Sequence, residues 1–138
     1  MTFLLSPIIT CLLLVEPTPT TIVEYRNCKV VEHQIEVVQI WQPLIEQHFY
    51  KEDIIKALQI IYCESTGYSK AIGNNTNGTQ DIGLWQFNDK TWAWLKGKLK
   101  FDGTRLDPLL STKVASWLVY NDGWHHWNSS KSCWGNRY

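Results

Sequence analysis

The sequence lacks an excess of charge of either sign, since its 13 basic and 13 acidic residues cancel. Nucleic-acid-binding domains usually carry a strong positive field, so this balance argues against nucleic acid as a partner. The apolar run over residues 3–15 is shorter than the roughly 20 residues that cross a membrane. The 138 residues, 44% of them hydrophobic, suffice for one domain with a single core.

The run over residues 3–15 has the length of a signal-peptide core. It predicts a leader over residues 1–24 and an extracytoplasmic or secreted protein. No basic residue precedes the run, and residues 16–21 offer no small-x-small cleavage site. An uncleaved N-terminal membrane anchor therefore stays open as the alternative. The folded domain is predicted over residues 33–134.

Cysteine is scarce, with four residues in the chain. Removal of the leader would leave Cys28, Cys63 and Cys133, which in an oxidising compartment allows one bridge and one odd thiol. A zinc site formed by these cysteines with His125 or His126 is the alternative, but no C-x2-C spacing supports it. We therefore predict no metal centre and no cofactor.

The first helix is predicted over residues 35–49, where apolar residues recur at helical spacing. The preceding residues 22–32 show no clear periodicity. Pro43 lies inside the helical segment, and an internal proline removes a backbone hydrogen bond. The helix should therefore kink or break near Gln42.

A second helix is predicted from Glu52 to an end between Ser65 and Gly67, because apolar residues line one side of this segment. Glu64 then lies in its last turn. The negative end of the helix dipole and the nearby apolar groups both disfavour a charged carboxylate there. The sequence therefore predicts a raised pKa for Glu64.

The remaining elements are predicted from local signals. The polar stretch 74–83 contains Asn77-Gly78 between threonine-rich flanks, which is typical of a β-hairpin and the one place where β structure is expected. A short helix around residues 92–95 precedes a polar loop over 96–103. The last helix should open at Asp107-Pro108 and end at Gly123, followed by an irregular aromatic tail.

Two carboxylates occupy environments that suit glycosidic bond cleavage. This chemistry uses an acid that stays protonated near neutral pH and commonly a second carboxylate in a wetter setting. Glu64 ends an apolar helix, whereas Asp81 belongs to the polar hairpin. A cleft between helix and hairpin would place them on opposite walls.

The motifs around both carboxylates resemble the lysozyme and lytic transglycosylase superfamily. Cys63-Glu64-Ser65 and Gly83-Leu84-x-Gln86 are similar to two transglycosylase elements. The run from Asn77 to Asn88 is also similar to the hairpin and following strand of animal c-type lysozymes. The wider frame, over residues 41–134, resembles exported actinobacterial and phage-type transglycosylase-like domains.

The resemblance implies an α+β, mostly α, lysozyme-like fold with a small β-hairpin beside a helical core. It implies cleavage of the β-1,4 bond between N-acetylmuramic acid and N-acetylglucosamine in peptidoglycan, with Glu64 as the general acid. Asp81 would be a nucleophile, an electrostatic stabiliser or a hairpin-fixing residue. In such domains the cysteine before the glutamate pairs with one near the C-terminus, which implies a Cys63–Cys133 bridge.

Five further residues are predicted to bind substrate. Gln86 and Asn88 resemble cleft-floor residues, the alternative being a buried amide bonded to backbone. Ser65 would orient Glu64 or cap a helix end. Tyr120 lies in an element similar to Tyr-Asn-x-Gly of transglycosylases, and Trp124 would wall the site or anchor the core.

Several functions stay open. Hydrolysis is slightly favoured because of Asp81, and a lytic transglycosylase that forms 1,6-anhydro products is the alternative. Two alternatives are not enzymes: a glycan-binding relative without catalytic activity, and a structural role at a cell or virus surface. The eight-cysteine framework and basic charge of animal c-type lysozymes are absent, which argues against that branch. The expected partner is the peptidoglycan glycan strand, bound by a monomer.

Overall fold

The computed structural model describes Cys11 and residues 18–135. Most of the predicted leader over residues 1–24 lies outside this part of the chain. The described helices are α1 (Pro19–Val38), α2 (Gln42–His48), α3 (Ile54–Ser65), α4 (Asp89–Leu99), α5 (Pro108–Asp122) and α6 (Lys131–Trp134). The described strands are β1 (Ile72–Asn74), β2 (Gln80–Ile82) and β3 (Phe87–Asn88). This α+β, mostly helical architecture confirms the predicted fold class.

α1 begins earlier than the sequence predicts. The side chain of Thr18 accepts the backbone N–H of Thr21, and Thr21 reciprocates, so a capping box starts the helix. Residues 22–32 are therefore helical, although their sequence shows no clear periodicity. Only the later part of α1, from Val31 onward, contributes buried residues, so its first turns carry little periodic signal.

The predicted break in the first helical segment is confirmed. α1 ends at Val38, a 3₁₀ turn covers Gln39–Trp41, and α2 begins at Gln42. Pro43 lies in the first turn of α2. A missing N–H costs no hydrogen bond at that position, so the proline starts a new helix.

Two disulfides join described residues that lie far apart in the sequence. Cys63 and Cys133 are bonded, with their Cα atoms 5.9 Å apart, as the resemblance implies. Cys11 is bonded to Cys28, with a Cα separation of 5.8 Å. In the full chain Cys28 therefore has a partner within the predicted leader, and the odd thiol expected after removal of the leader stays a prediction.

The sheet is antiparallel in the order β1-β2-β3. The turn between β1 and β2 contains Asn77-Gly78, which confirms the predicted hairpin. Gly78 has a φ of +84°, a conformation that favours glycine. The third strand, Phe87–Asn88, agrees with the strand after the hairpin that the resemblance implies. Local signals alone did not predict it, because two residues are too few to show alternation.

The C-terminal half is more helical than predicted. α4 continues to Leu99, so the first part of the predicted loop over 96–103 is helix, consistent with the high helix propensity of lysine and leucine. Asp107 caps the start of α5 and Gly123 its end, as expected. The tail forms a 3₁₀ segment over Trp124–Ser130 and then α6.

α3 is the central helix, packed against α1, α2 and α6. The largest fully buried side chains are apolar and come from α2, α3, α4, α5 and the segment between β2 and β3: Ile45, Leu58, Ile60, Ile61, Leu84, Trp85, Leu95 and Leu118. Among the described helices, none combines the length and apolarity needed to cross a bilayer.

Candidate active site

Glu64 projects from the last turn of α3 and is half-buried. The helix stops directly after Ser65, because Thr66 adopts a left-handed conformation with a φ of +51°. The Ser65 hydroxyl donates to the carbonyl of Leu84 at 2.8 Å and to that of Ile61 at 3.1 Å. Ser65 thereby fixes the end of the helix to the segment that leads into β3.

Asp81 lies on β2 and is held by its neighbour on β3. Asn88 is the cross-strand partner of Asp81, and its amide donates to Asp81 Oδ1 at 2.9 Å. The same amide donates to Thr79 Oγ1 at 3.0 Å, and the side-chain oxygen Oδ1 of Asn88 accepts the backbone N–H of Lys90 at the start of α4. These bonds orient the Asp81 carboxylate from within the sheet.

Arg105 clamps the two strands that carry this pair. Its guanidinium donates to the carbonyls of Gln80 and Phe87 at 3.2 and 2.7 Å, and to Asp89 Oδ1 at 2.8 Å. The backbone N–H of Gln80 bonds the other oxygen of Asp89. This N–H and then the guanidinium lower the pKa of Asp89. The clamp keeps β2 and β3 in register beside α4.

Glu64 and Asp81 line one cleft of about 210 Å³ between α3, the sheet and the C-terminal segment. Polar atoms dominate its surface, as expected of a site that binds a hydroxyl-rich ligand. The other lining residues are Gln86, Phe87, Asn88, Thr91, His126, Trp127 and Ser129. The structure therefore brings the two predicted carboxylates together with Gln86 and Asn88.

The environment of Glu64 favours its protonated form. Burial is the main cause and raises the pKa of Glu64, while the nearby negative charge of Asp81 raises it further. A hydrogen bond from Ser130 acts in the opposite direction and lowers the pKa. The net result is a pKa above the usual range of a glutamate, as the sequence predicts.

Ser130 is a contact of Glu64 that the sequence did not reveal. Its hydroxyl donates to Glu64 Oε1 at 2.6 Å, and the indole N–H of Trp134 donates to the same hydroxyl at 3.1 Å. Ser130 precedes Cys133, which the Cys63–Cys133 bridge fastens beside α3. The bridge thus holds the C-terminal segment, with its serine, against the carboxylate.

Replacing Ser130 by Ala is expected to move the alkaline limb of the pH–activity profile to higher pH. The serine stabilises the ionised form of Glu64, so its loss raises the pKa further and keeps the acid protonated over a wider range. Rates of cleavage measured across pH check this, with Ser132→Ala, on an exposed position of α6, as the control. A limb that stays in place, or moves to lower pH, would contradict the expectation.

Three predicted substrate-binding residues lie outside the cleft lining. Ser65 bonds backbone, as described above. The Tyr120 hydroxyl donates to Asp53 at 2.8 Å and accepts the N–H of Tyr50 at 2.9 Å. Burial raises the pKa of Tyr120 to about 12. Trp124 stacks on Phe49, with ring centroids 6.0 Å apart, and anchors the core as the alternative interpretation had it.

Gln86 and Asn88 reach the cleft, but their amide groups are bonded within the protein. The Gln86 amide donates to the carbonyls of Ala71 and Gly83 at 3.1 and 2.9 Å. Its backbone has a φ of +52°, which turns the chain sharply before β3. For both residues the geometry agrees with the alternative of an amide that satisfies its own fold, and a direct contact to sugar stays a prediction.

Comparison with known protein families gives a match over the site. The family model described as "Transglycosylase SLT domain" matches residues 45–125, which is more than half of the chain and includes Glu64, Asp81 and the whole sheet. No curated protein and no solved structure matches. Domains of this family act on peptidoglycan outside the cytoplasm, and they cleave it as hydrolases or lytic transglycosylases. The chain belongs to the transglycosylase SLT domain family and is a peptidoglycan-cleaving enzyme.

Proposed function

We propose that the chain is a secreted, monomeric muramidase that cleaves the β-1,4 bond between N-acetylmuramic acid and N-acetylglucosamine, with Glu64 as general acid. The observation that carries the proposal is that a half-buried Glu64, whose pKa is raised by that burial, lines the same cleft as Asp81. An acid must hold its proton near neutral pH to protonate a leaving sugar oxygen. Burial at the end of α3 favours the protonated form of Glu64.

The reaction begins with proton transfer from Glu64 to the glycosidic oxygen. The bond between that oxygen and the anomeric carbon breaks, and positive charge develops on the sugar ring. Asp81, oriented by Asn88, supplies negative charge within the same cleft. Glu64, now ionised, takes a proton from the incoming hydroxyl group while the oxygen of that hydroxyl bonds to the anomeric carbon.

The source of the incoming hydroxyl group decides whether the enzyme is a lysozyme or a lytic transglycosylase. Water gives a reducing end and a lysozyme, whereas the sugar's own 6-hydroxyl gives a 1,6-anhydro end and a lytic transglycosylase. The family match favours the second outcome, because its description is that of a transglycosylase domain. The oriented carboxylate of Asp81 supports the first, since a second carboxylate suits hydrolysis with retention.

Mass spectrometry of muropeptides released from purified peptidoglycan tests the proposal. Products with reducing ends would support the muramidase. Products with 1,6-anhydro ends would contradict the muramidase and support the lytic transglycosylase. No released product from the oxidised, folded chain would contradict both.

Replacing Asp81 by Asn is expected to lower hydrolysis by about a hundredfold, the order of loss when a group that stabilises transition-state charge is removed. Asn keeps the size and an oxygen that can accept the Asn88 bond, so the sheet should be retained. Release of reducing ends measures the effect, and Asp102→Asn, on an exposed residue outside the cleft lining, is the matched control. Activity within about tenfold of the wild type would remove Asp81 from the chemistry.

A further inference from the structure

A carboxylate and two imidazoles meet where α5 ends. Gly123 has a φ of +104°, and this turn brings His125 and His126 back over Asp122. Asp122 Oδ2 lies 2.6 Å from His126 Nε2 and 3.5 Å from His125 Nε2. The two imidazole rings lie with their centroids 4.3 Å apart. The three side chains can each present one ligand atom, all within 4.8 Å of one another.

The donor set has the chemistry of a zinc site. Two imidazole nitrogens and one carboxylate oxygen suit Zn²⁺ and similar borderline cations. Bonds of about 2.0–2.1 Å in a tetrahedral arrangement separate neighbouring ligand atoms by about 3.3 Å. The spacing between Asp122 and His125 already fits. The Asp122 and His126 atoms lie closer than this, so a bound metal would lengthen their separation by about 0.7 Å and replace their hydrogen bond by two metal bonds.

The cluster borders the cleft that holds the catalytic carboxylates. His126 lines this cleft together with Glu64 and Asp81, whereas Asp122 and His125 lie outside its lining. A cation held by His126 would add positive charge to one wall. That charge opposes the positive charge that develops on the sugar and favours the ionised form of Glu64.

We propose that Asp122, His125 and His126 form a binding site for a divalent cation of the zinc class, and that the bound cation restrains cleavage in the adjacent cleft. Three protein ligands leave a fourth position for water. The effect on cleavage rests on the proposed function, whereas the binding of the metal does not.

Calorimetric titration of the oxidised full chain with zinc chloride tests the site. We expect one equivalent to bind, and we expect His125→Asn to weaken binding by at least about tenfold, because a direct ligand is lost. His33→Asn, which removes an exposed histidine from α1, should bind zinc as the wild type does. Absence of stoichiometric binding, or equal affinity in the wild type and His125→Asn, would overturn the site.

Peptidoglycan release with and without saturating zinc tests the link to the cleft. Zinc is expected to lower release by the wild type about tenfold, the order that one nearby charge produces in a partly screened site. His125→Asn should release as much as the wild type without zinc and resist inhibition at the same concentration. Equal inhibition of both proteins, or none, would overturn the link. Lack of release from either protein without zinc would instead contradict the proposed function and leave the calorimetric result standing.

Discussion

Replacing Glu64 by Gln is expected to lower peptidoglycan cleavage by about 10²–10⁴-fold, the contribution of a general acid. Glutamine has the size of glutamate and an oxygen that can accept the Ser130 hydroxyl, but it has no proton to give to the leaving oxygen. Release of muropeptides per unit time measures the loss. Glu36→Gln, on the exposed side of α1, is the matched control and should retain full activity.

The same variant should be more stable than the wild type at neutral pH. The pKa of Glu64 is higher in the folded than in the unfolded chain, so folding favours the protonated carboxyl. Wild-type stability therefore falls as pH rises from the ordinary glutamate pKa of about 4.3 through the raised folded value, and levels off above it. Glutamine avoids this loss. A higher melting temperature at neutral pH, which disappears at acidic pH, would show that lost activity is not lost folding.

Retained cleavage by a folded Glu64→Gln protein, within about tenfold of the wild type, would contradict the role of Glu64. A variant that melts below the wild type at neutral pH would contradict the argument that ionised Glu64 destabilises the fold, but not the catalytic role of Glu64. The two measurements therefore separate the chemistry from the stability.

Replacing Cys63 and Cys133 together by Ala is expected to lower the free energy of unfolding by about 4 kcal/mol. The bridge closes a loop between residues 70 positions apart, and it restricts the unfolded chain accordingly. Such a loss is a large fraction of the 5–15 kcal/mol that stabilises a typical domain. Urea denaturation followed by tryptophan fluorescence measures it.

The bridge variant should also lose activity at temperatures where it stays folded, because α6 and Ser130 are no longer held beside Glu64. Replacing Cys28 by Ala, which opens the Cys11–Cys28 bridge over 17 positions, is the matched control. The shorter loop predicts a smaller loss of stability, about 3 kcal/mol, with cleavage at permissive temperature retained. Equal effects of the two variants on activity would contradict the tether between α6 and the site.

Local signals in the sequence were sufficient for the elements that carry the carboxylates. The apolar stripe of α3 placed Glu64 in its last turn, and Asn77-Gly78 placed Asp81 beside a hairpin. The prediction missed the early start of α1 and the helical tail. In both segments few residues face the core, and a helix held by caps and bridges needs no hydrophobic stripe.

Residue types and short spacings by themselves determined that Glu64 ends an apolar helix and that Asp81 lies in a polar hairpin. Only the tertiary structure decided which side chains surround them. Ser130 contacts Glu64 across 66 positions, and His126 enters the cleft from the end of α5. Tyr120 turns instead toward Asp53, away from the cleft lining. Such contacts depend on how whole helices pack, and residues so distant along the chain share no periodicity from which their meeting could be predicted.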